Sequence, residues 1–203
     1  MQTKTFVRLG TICTLILMLG VSSCTKEKKP VPVPVTPPLA MEYFNLDKEI
    51  IADAPGFLLD VNHDRRVDLA FTTLLLGDPI YRVDKMQFLV SSNKDVNLPV
   101  NGSEEVPVMY RGESIVPGNF NGYQWFEISS ILLVQKVISF TAPPAWEGHW
   151  KNASHRYLPY QLIINEKTYN GWVELSVDIV HEKIVLHKAA ICKEPNKTIK
   201  AGE

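Results

Sequence analysis

Thr168-Tyr-Asn-Gly-Trp-Val-Glu-Leu-Ser-Val-Asp-Ile-Val180 decides the fold. Tyr169, Gly171, Val173, Leu175, Val177 and Ile179 fall on one side of an extended chain. Asn170, Trp172, Glu174, Ser176 and Asp178 fall on the other. Successive side chains of a strand point to opposite faces, so a period of two held this long predicts a strand with one apolar face. Gly171 interrupts the row, which predicts a bulge or a close approach of another segment. Glu174 is expected to tolerate substitution if its face meets water.

Working outward, Arg156 to Ile164 reads as the preceding strand, with Asn165-Glu166-Lys167 as the turn between them. His181-Glu182-Lys183 turns the chain again into Ile184 to Ile191, giving a three-stranded meander. Upstream, Val67, Leu69, Phe71, Thr73 and Leu75 alternate with Asp68, Ala70, Thr72 and Leu74, and Tyr81 to Ser91 is a second extended run. Ile128 to Ile138 is the one stretch that fits helix and strand equally. Short alternating runs separated by turn residues predict a mostly β domain, an antiparallel β-sandwich over residues 41–203. No repeat or second linker divides that region.

The first 40 residues are of another kind. Lys4 and Arg8 precede a nearly uncharged apolar run from Leu9 to Val21, then Val21-Ser22-Ser23-Cys24. A basic segment followed by a short apolar segment is the order of an export signal. The run is shorter than the ~20 apolar residues of a membrane-spanning helix. Val21 to Cys24 resembles the lipobox of bacterial lipoproteins, whose cysteine is diacylated and becomes the first residue after cleavage. The resemblance implies a signal peptide at 1–23, a lipidated Cys24, and a membrane as the first partner. Residues 24–40 then read as a linker: Pro30-Val-Pro-Val-Pro-Val-Thr-Pro-Pro38 carries five prolines in nine residues. Proline lacks the backbone donor and favours polyproline II, so this is a semi-rigid spacer of about 25–30 Å at about 3.1 Å per residue.

The whole chain has 21 Lys and Arg against 22 Asp and Glu. This near balance provides no basic field to attract nucleic acid. Of three cysteines, Cys13 lies in the signal and Cys24 at the lipid site, leaving Cys192 alone in the folded domain. It reads as a small apolar residue at the end of a strand.

One segment is patterned like a metal loop. Asp60-Val-Asn62-His-Asp64-Arg-Arg66-Val-Asp68 places oxygen side chains at positions 1, 3, 5 and 9. Calcium takes six to eight oxygen ligands, and the carbonyl of Arg66 at position 7 would add one. Two features depart from an EF-hand. Arg65 stands where glycine usually makes the sharp turn, and Phe71 stands where a bidentate glutamate is usual. Weak affinity is expected, and a solvated Asp/Asn turn is the rival reading.

Asp60 to Phe71 resembles the D-x-N-x-D-G-x-x-D-h-x-F segment of secreted bacterial β proteins (h, apolar), and related loops occur in FG-GAP repeats and dockerins. Lys167-Thr-Tyr-Asn-Gly-Trp-Val-Glu-Leu175 resembles the h-Y-G-W-h-x-L strand of some of them, with Asn170 as an extra residue. Pro195-Asn-Lys-Thr-Ile-Lys-Ala-Gly202 is similar to their P-x-x-x-I-x-A-G ending. Taken in order, these segments resemble Bacteroidetes-type envelope lipoproteins. The resemblance implies an extracytoplasmic β-sandwich, lipid-anchored in the outer membrane, with calcium and no particular reaction.

The expected role is therefore non-enzymatic binding or assembly in the cell envelope, with an envelope protein or a glycan as partner. Trp146-Glu-Gly-His149-Trp150, followed by Tyr157, is rich in aromatics. Exposed aromatics stack on sugar rings, so Trp146, Trp150 and Tyr157 are candidates for a glycan-binding module. The competing reading is that they are core or hairpin residues. A hydrolase with dispersed residues is the third reading, since no G-x-S-x-G, H-E-x-x-H, Walker A or Rossmann pattern is present.

Overall fold

In the computed structural model, residues 37–128 and 130–203 are described. The export signal, Cys24 and the spacer up to residue 36 lie outside them. All the regular structure described is strand, as the alternation predicts. The strands are β1 Met41–Ile51, β2 Phe57–Leu59, β3 Leu69–Asp78, β4 Val83–Ser92 and β5 Val96–Val100. They continue as β6 Ser114–Ile115, β7 Gln124–Phe126, β8 Ile131–Ser139, β9 Ala145–Glu147 and β10 Arg156–Ile164. The last are β11 Lys167–Asp178, β12 Lys183–Cys192 and β13 Ile199–Lys200.

The meander forms as the sequence predicts. A six-stranded antiparallel sheet runs β1-β12-β11-β10-β5-β7 and packs against a five-stranded sheet, β2-β3-β4-β8-β9. Of the stretch from Ile128 to Ile138, Ile131 to Ile138 is strand, because β8 supplies the row next to β4. The interior between the sheets is apolar. Val173 and Leu175 of β11, Leu158 and Leu162 of β10, and Leu186 of β12 meet Leu69, Phe71, Phe88 and Val90 of the facing sheet. At roughly 25 cal/mol per Å² of apolar surface removed from water, this interior is the main stabilising contribution.

The other face of β11 is covered over its first half and partly exposed from Glu174 onward, which corrects the simplest reading of the alternation. Trp172 and Asn170 are buried. A two-stranded ribbon, β6 with β13, lies over them. Ile115, Ile199 and Ala201 of this ribbon form a second apolar cluster with Trp172, Ala190, Cys192 and Tyr157. The ribbon is fixed by amides from the sheet beneath. Asn170 Nδ2 donates to the carbonyls of Ile115 (3.4 Å) and Lys197 (2.6 Å). Gln161 Nε2 donates to those of Val116 and Pro117. Cys192 is thus a small buried residue, as read.

Three boundaries differ. Leu39 already packs on the second cluster, and Ala40 accepts from the Lys193 N–H at 2.7 Å. The domain therefore begins a few residues before 41, where the prolines stop and backbone donors return. Val67 is exposed and β3 starts at Leu69, so Val67 does not share the face of Phe71. Tyr81 lies in the turn before β4.

Candidate functional site

The loop between β2 and β3 folds on its own oxygens. Asp60 Oδ1 accepts from the backbone N–H groups of Asn62 (3.2 Å) and Asp64 (3.3 Å), and Oδ2 accepts from Arg65 (2.8 Å). Asn62 Oδ1 accepts from Asp64 N–H at 3.0 Å, and Asp64 Oδ1 from Arg66 N–H at 2.8 Å. Such side-chain-to-backbone bonds two residues on are what Asx residues offer a tight turn. His63 and Arg65 take φ of 59° and 68°. Arg65, at the position where glycine is usual, adopts the left-handed conformation that favours glycine there.

Asp68 closes the loop from inside. It is buried; Oδ2 accepts from Val61 N–H at 2.8 Å and Oδ1 from Asn93 Nδ2 at 3.2 Å. Burial raises its pKa above the usual carboxylate value, the Val61 bond opposes this, and the charges of Asp60 and Asp64 raise it further. The three carboxylates therefore share one electrostatic neighbourhood. Among the described residues, no group of three or more His, Cys, Asp or Glu side chains is gathered tightly enough to hold a metal ion. The side-chain oxygens of Asp60, Asn62 and Asp64 are engaged instead by the loop's own N–H groups.

The aromatics singled out in the sequence do not share an exposed face. Trp150 is fully buried between the sheets, and its indole donates to the Val106 carbonyl at 3.3 Å. Trp146 is half-buried against Phe88, with ring centroids 6.0 Å apart. Tyr157 is buried in the other cluster, edge-on to Trp172 at 5.2 Å, and burial raises its phenol pKa. They are core residues on two sides of one sheet, so they form no sugar-stacking platform. A different aromatic group lies beside a cleft of about 440 Å³. Phe120 and Tyr123 stack at 5.7 Å on its wall, with Glu113, Asn121, His149 and Lys200 also lining it.

A further cluster escaped the sequence reading. Ser176 Oγ lies 2.8 Å from His187 Nε2 and accepts from the His155 backbone N–H at 2.8 Å. His155 stacks on His187 with centroids 4.2 Å apart, and its Nδ1 is 2.7 Å from Glu174 Oε1. The cause lies in strand register. Glu174 pairs with Lys188 but Leu175 pairs with Leu186, so His187 is an extra residue in β12. The β1–β12 pairing is also irregular at that level, between Asn45 and Lys48. Bulges re-aim side chains. Burial and the neighbouring His155 charge lower the His187 pKa, while Glu174 and Asp47 act in the opposite direction. A neutral His187 accepts the Ser176 hydroxyl at Nε2. Only the proximity of Ser176, His187 and the bulge makes the cluster, and local sequence carries no signal of it.

Comparison with known proteins found no matching family model, no matching curated protein and no matching solved structure.

Proposed function

We propose that this chain is a lipid-anchored cell-envelope protein, tethered through Cys24 in the outer membrane. Its β-sandwich serves binding or assembly there, braced by one calcium ion in the loop from Asp60 to Asp68. The observation that carries the tether is order along the chain. A basic segment, an apolar run, Val21-Ser22-Ser23-Cys24 and a proline spacer stand directly before a sandwich whose first strand begins at Met41. Two or more acyl chains anchor a protein stably without a spanning helix. Replacing Cys24 with alanine should move the protein out of the detergent phase on partitioning. If the wild type and the alanine variant partition alike, the tether is wrong.

The calcium reading is supported by the pattern of oxygens in the loop; burial raises the Asp68 pKa, and the nearby charges of Asp60 and Asp64 raise it further. Asp60, Asn62, Asp64 and Asp68 would supply side-chain oxygens and Arg66 its carbonyl. When bound, the ion would offset two of the three negative charges that Asp60, Asp64 and Asp68 bring together. A second reading, glycan binding, is favoured by the cleft beside Phe120 and Tyr123 rather than by Trp146, Trp150 and Tyr157. Retained binding on a glycan array by a Phe120→Ala, Tyr123→Ala variant would remove it.

A further inference from the structure

The alternation of β3 is lost halfway along the strand. Leu69 and Phe71 are buried, but Leu74, Leu75 and Leu76 are 47%, 55% and 48% exposed. Neighbouring side chains on a strand point to opposite faces, so exposure of all three means that both faces of this half are uncovered. Its outer edge is open as well. β2 pairs with β3 only from Leu69 to Phe71, and among the described residues no strand pairs with Thr72 to Asp78 on that side. Gly56 lies against Thr72, so Thr73 to Asp78 form the open, mostly apolar edge, on which alternate residues offer backbone N–H and C=O groups. Natural sheets usually blunt such an edge with lysine, proline or a bulge. Thr72-Thr-Leu-Leu-Leu-Gly-Asp78 has no proline and only one charge, at its end.

We propose that this edge pairs with the same edge of a second copy of the chain, antiparallel about a two-fold axis at Leu75. An unpaired edge selects another strand as its occupant. The side chains select one that is apolar on both faces, and β3 itself meets that requirement. The symmetric register sets Leu75 against Leu75, Leu74 against Leu76 and Thr73 against Gly77. No like charges meet in it. The two five-stranded sheets would join into one continuous sheet, and the contact is isologous, so it closes as a dimer rather than growing into a fibre.

The edge is also well placed for a tethered protein. β1 runs from Met41, opposite Cys192, to Ile51, opposite Lys183. Lys136 of β8 pairs with Glu182 in the turn beyond, and Val83 pairs with Ser139. The β3–β4 turn therefore lies at the end of the sandwich away from Met41. Ile80, Tyr81, Phe140 and Val180, each at least 74% exposed, extend the apolar surface there. This specifies the assembly role proposed above and rests on that reading for its setting. Holding both copies in one membrane would add to the contact by raising their effective concentration.

The test uses the full chain in detergent. Directly opposed residues of an antiparallel pair have Cα atoms about 4.5–5.5 Å apart, within the reach of a disulfide. Leu75→Cys should give an oxidised dimer, while the parent chain and Lys167→Cys, at the opposite end, should not. Sedimentation of the parent should show a concentration-dependent dimer. Leu74→Lys with Leu76→Lys should be monomeric at the same concentrations with an unchanged fold by circular dichroism. A parent that sediments as a monomer throughout, including one that pairs only with another protein, overturns the proposal. So does equal cross-linking at residues 75 and 167, or a dimer that survives the two lysines. The cross-linking chains all carry Cys13→Ala and Cys24→Ala, so no thiol of the first 24 residues can form the disulfide, and failure of the tether and failure of the dimer are read separately.

Discussion

Gly171 lies directly against the phenol of Tyr160. The two residues are opposite each other in the β10–β11 pair, and a Cβ on Gly171 would stand 2.3 Å from Tyr160 Cζ and 2.6 Å from the Ala190 carbonyl oxygen. Tyr160 is fully buried and its hydroxyl donates to that same carbonyl at 3.1 Å. The glycine in the alternating strand marks a close approach, and the tyrosine fills the space a side chain would take.

Gly171→Ala should therefore destabilise the domain by about 2–4 kcal/mol, since overpacking here meets backbone as well as a ring. Gly118→Ala, where the added carbon meets nothing within 4 Å, should change little. Chemical denaturation of both variants checks this. Equal midpoints would mean that Tyr160 does not occupy this position.

Leu175 and Glu174 test the strand register. Leu175 is fully buried, and an aspartate there should destabilise by several kcal/mol. Glu174→Lys breaks the 2.7 Å contact with His155 and brings a cation beside two histidines. His155 is mostly exposed, so the loss should be on the order of 1 kcal/mol or less. Melting temperatures that fall equally for the two changes would undo the assigned register.

Calcium should raise the melting temperature. An ion that binds only the folded chain adds RT ln(1 + [L]/Kd), roughly 1.4 kcal/mol for a Kd of about 0.1 mM and calcium of about 1 mM. A chelator should reverse the shift, magnesium should produce less of it, and Asp64→Ala should abolish it. Because the Asp68 pKa is raised, the shift should also shrink as pH falls through that raised value and the carboxylate takes a proton. A melting curve indifferent to millimolar calcium at fixed ionic strength would leave the loop as an Asx turn.

The histidine pair should make stability depend on pH. The unfolded chain protonates His187 near its ordinary value of about 6.5, and the folded chain does so lower because of burial and His155. Between those two values the unfolded state binds more protons, so stability falls as pH falls through this window. Below the folded value this group contributes no further loss. Glu174 and Asp47 narrow the window by favouring the charged form. The wild type should lose more melting temperature than His187→Gln between about pH 7.5 and pH 5. Parallel curves would show that His187 does not titrate differently on folding.

The alternation from Tyr169 to Ile179 defines its strand because side-chain direction along an extended chain is local. The same holds for the Asp60 to Arg66 turn, whose side chains bond backbone two to five residues on. Val21 to Cys24 and the prolines after it are read from order alone. Whether the Trp172 face meets water was decided by β6 and β13. These strands are two residues each, too short for any period, and they pair Ser114 with Lys200 across 86 residues of chain. Trp150 and Tyr157 look alike in sequence as binding aromatics, yet packing sends them to opposite sides of one sheet. His187 meets Ser176 and His155 because one extra residue in β12 shifts its register. Each of these depends on which distant segment covers or pairs with a strand, and that is settled only when the apolar faces close on one another.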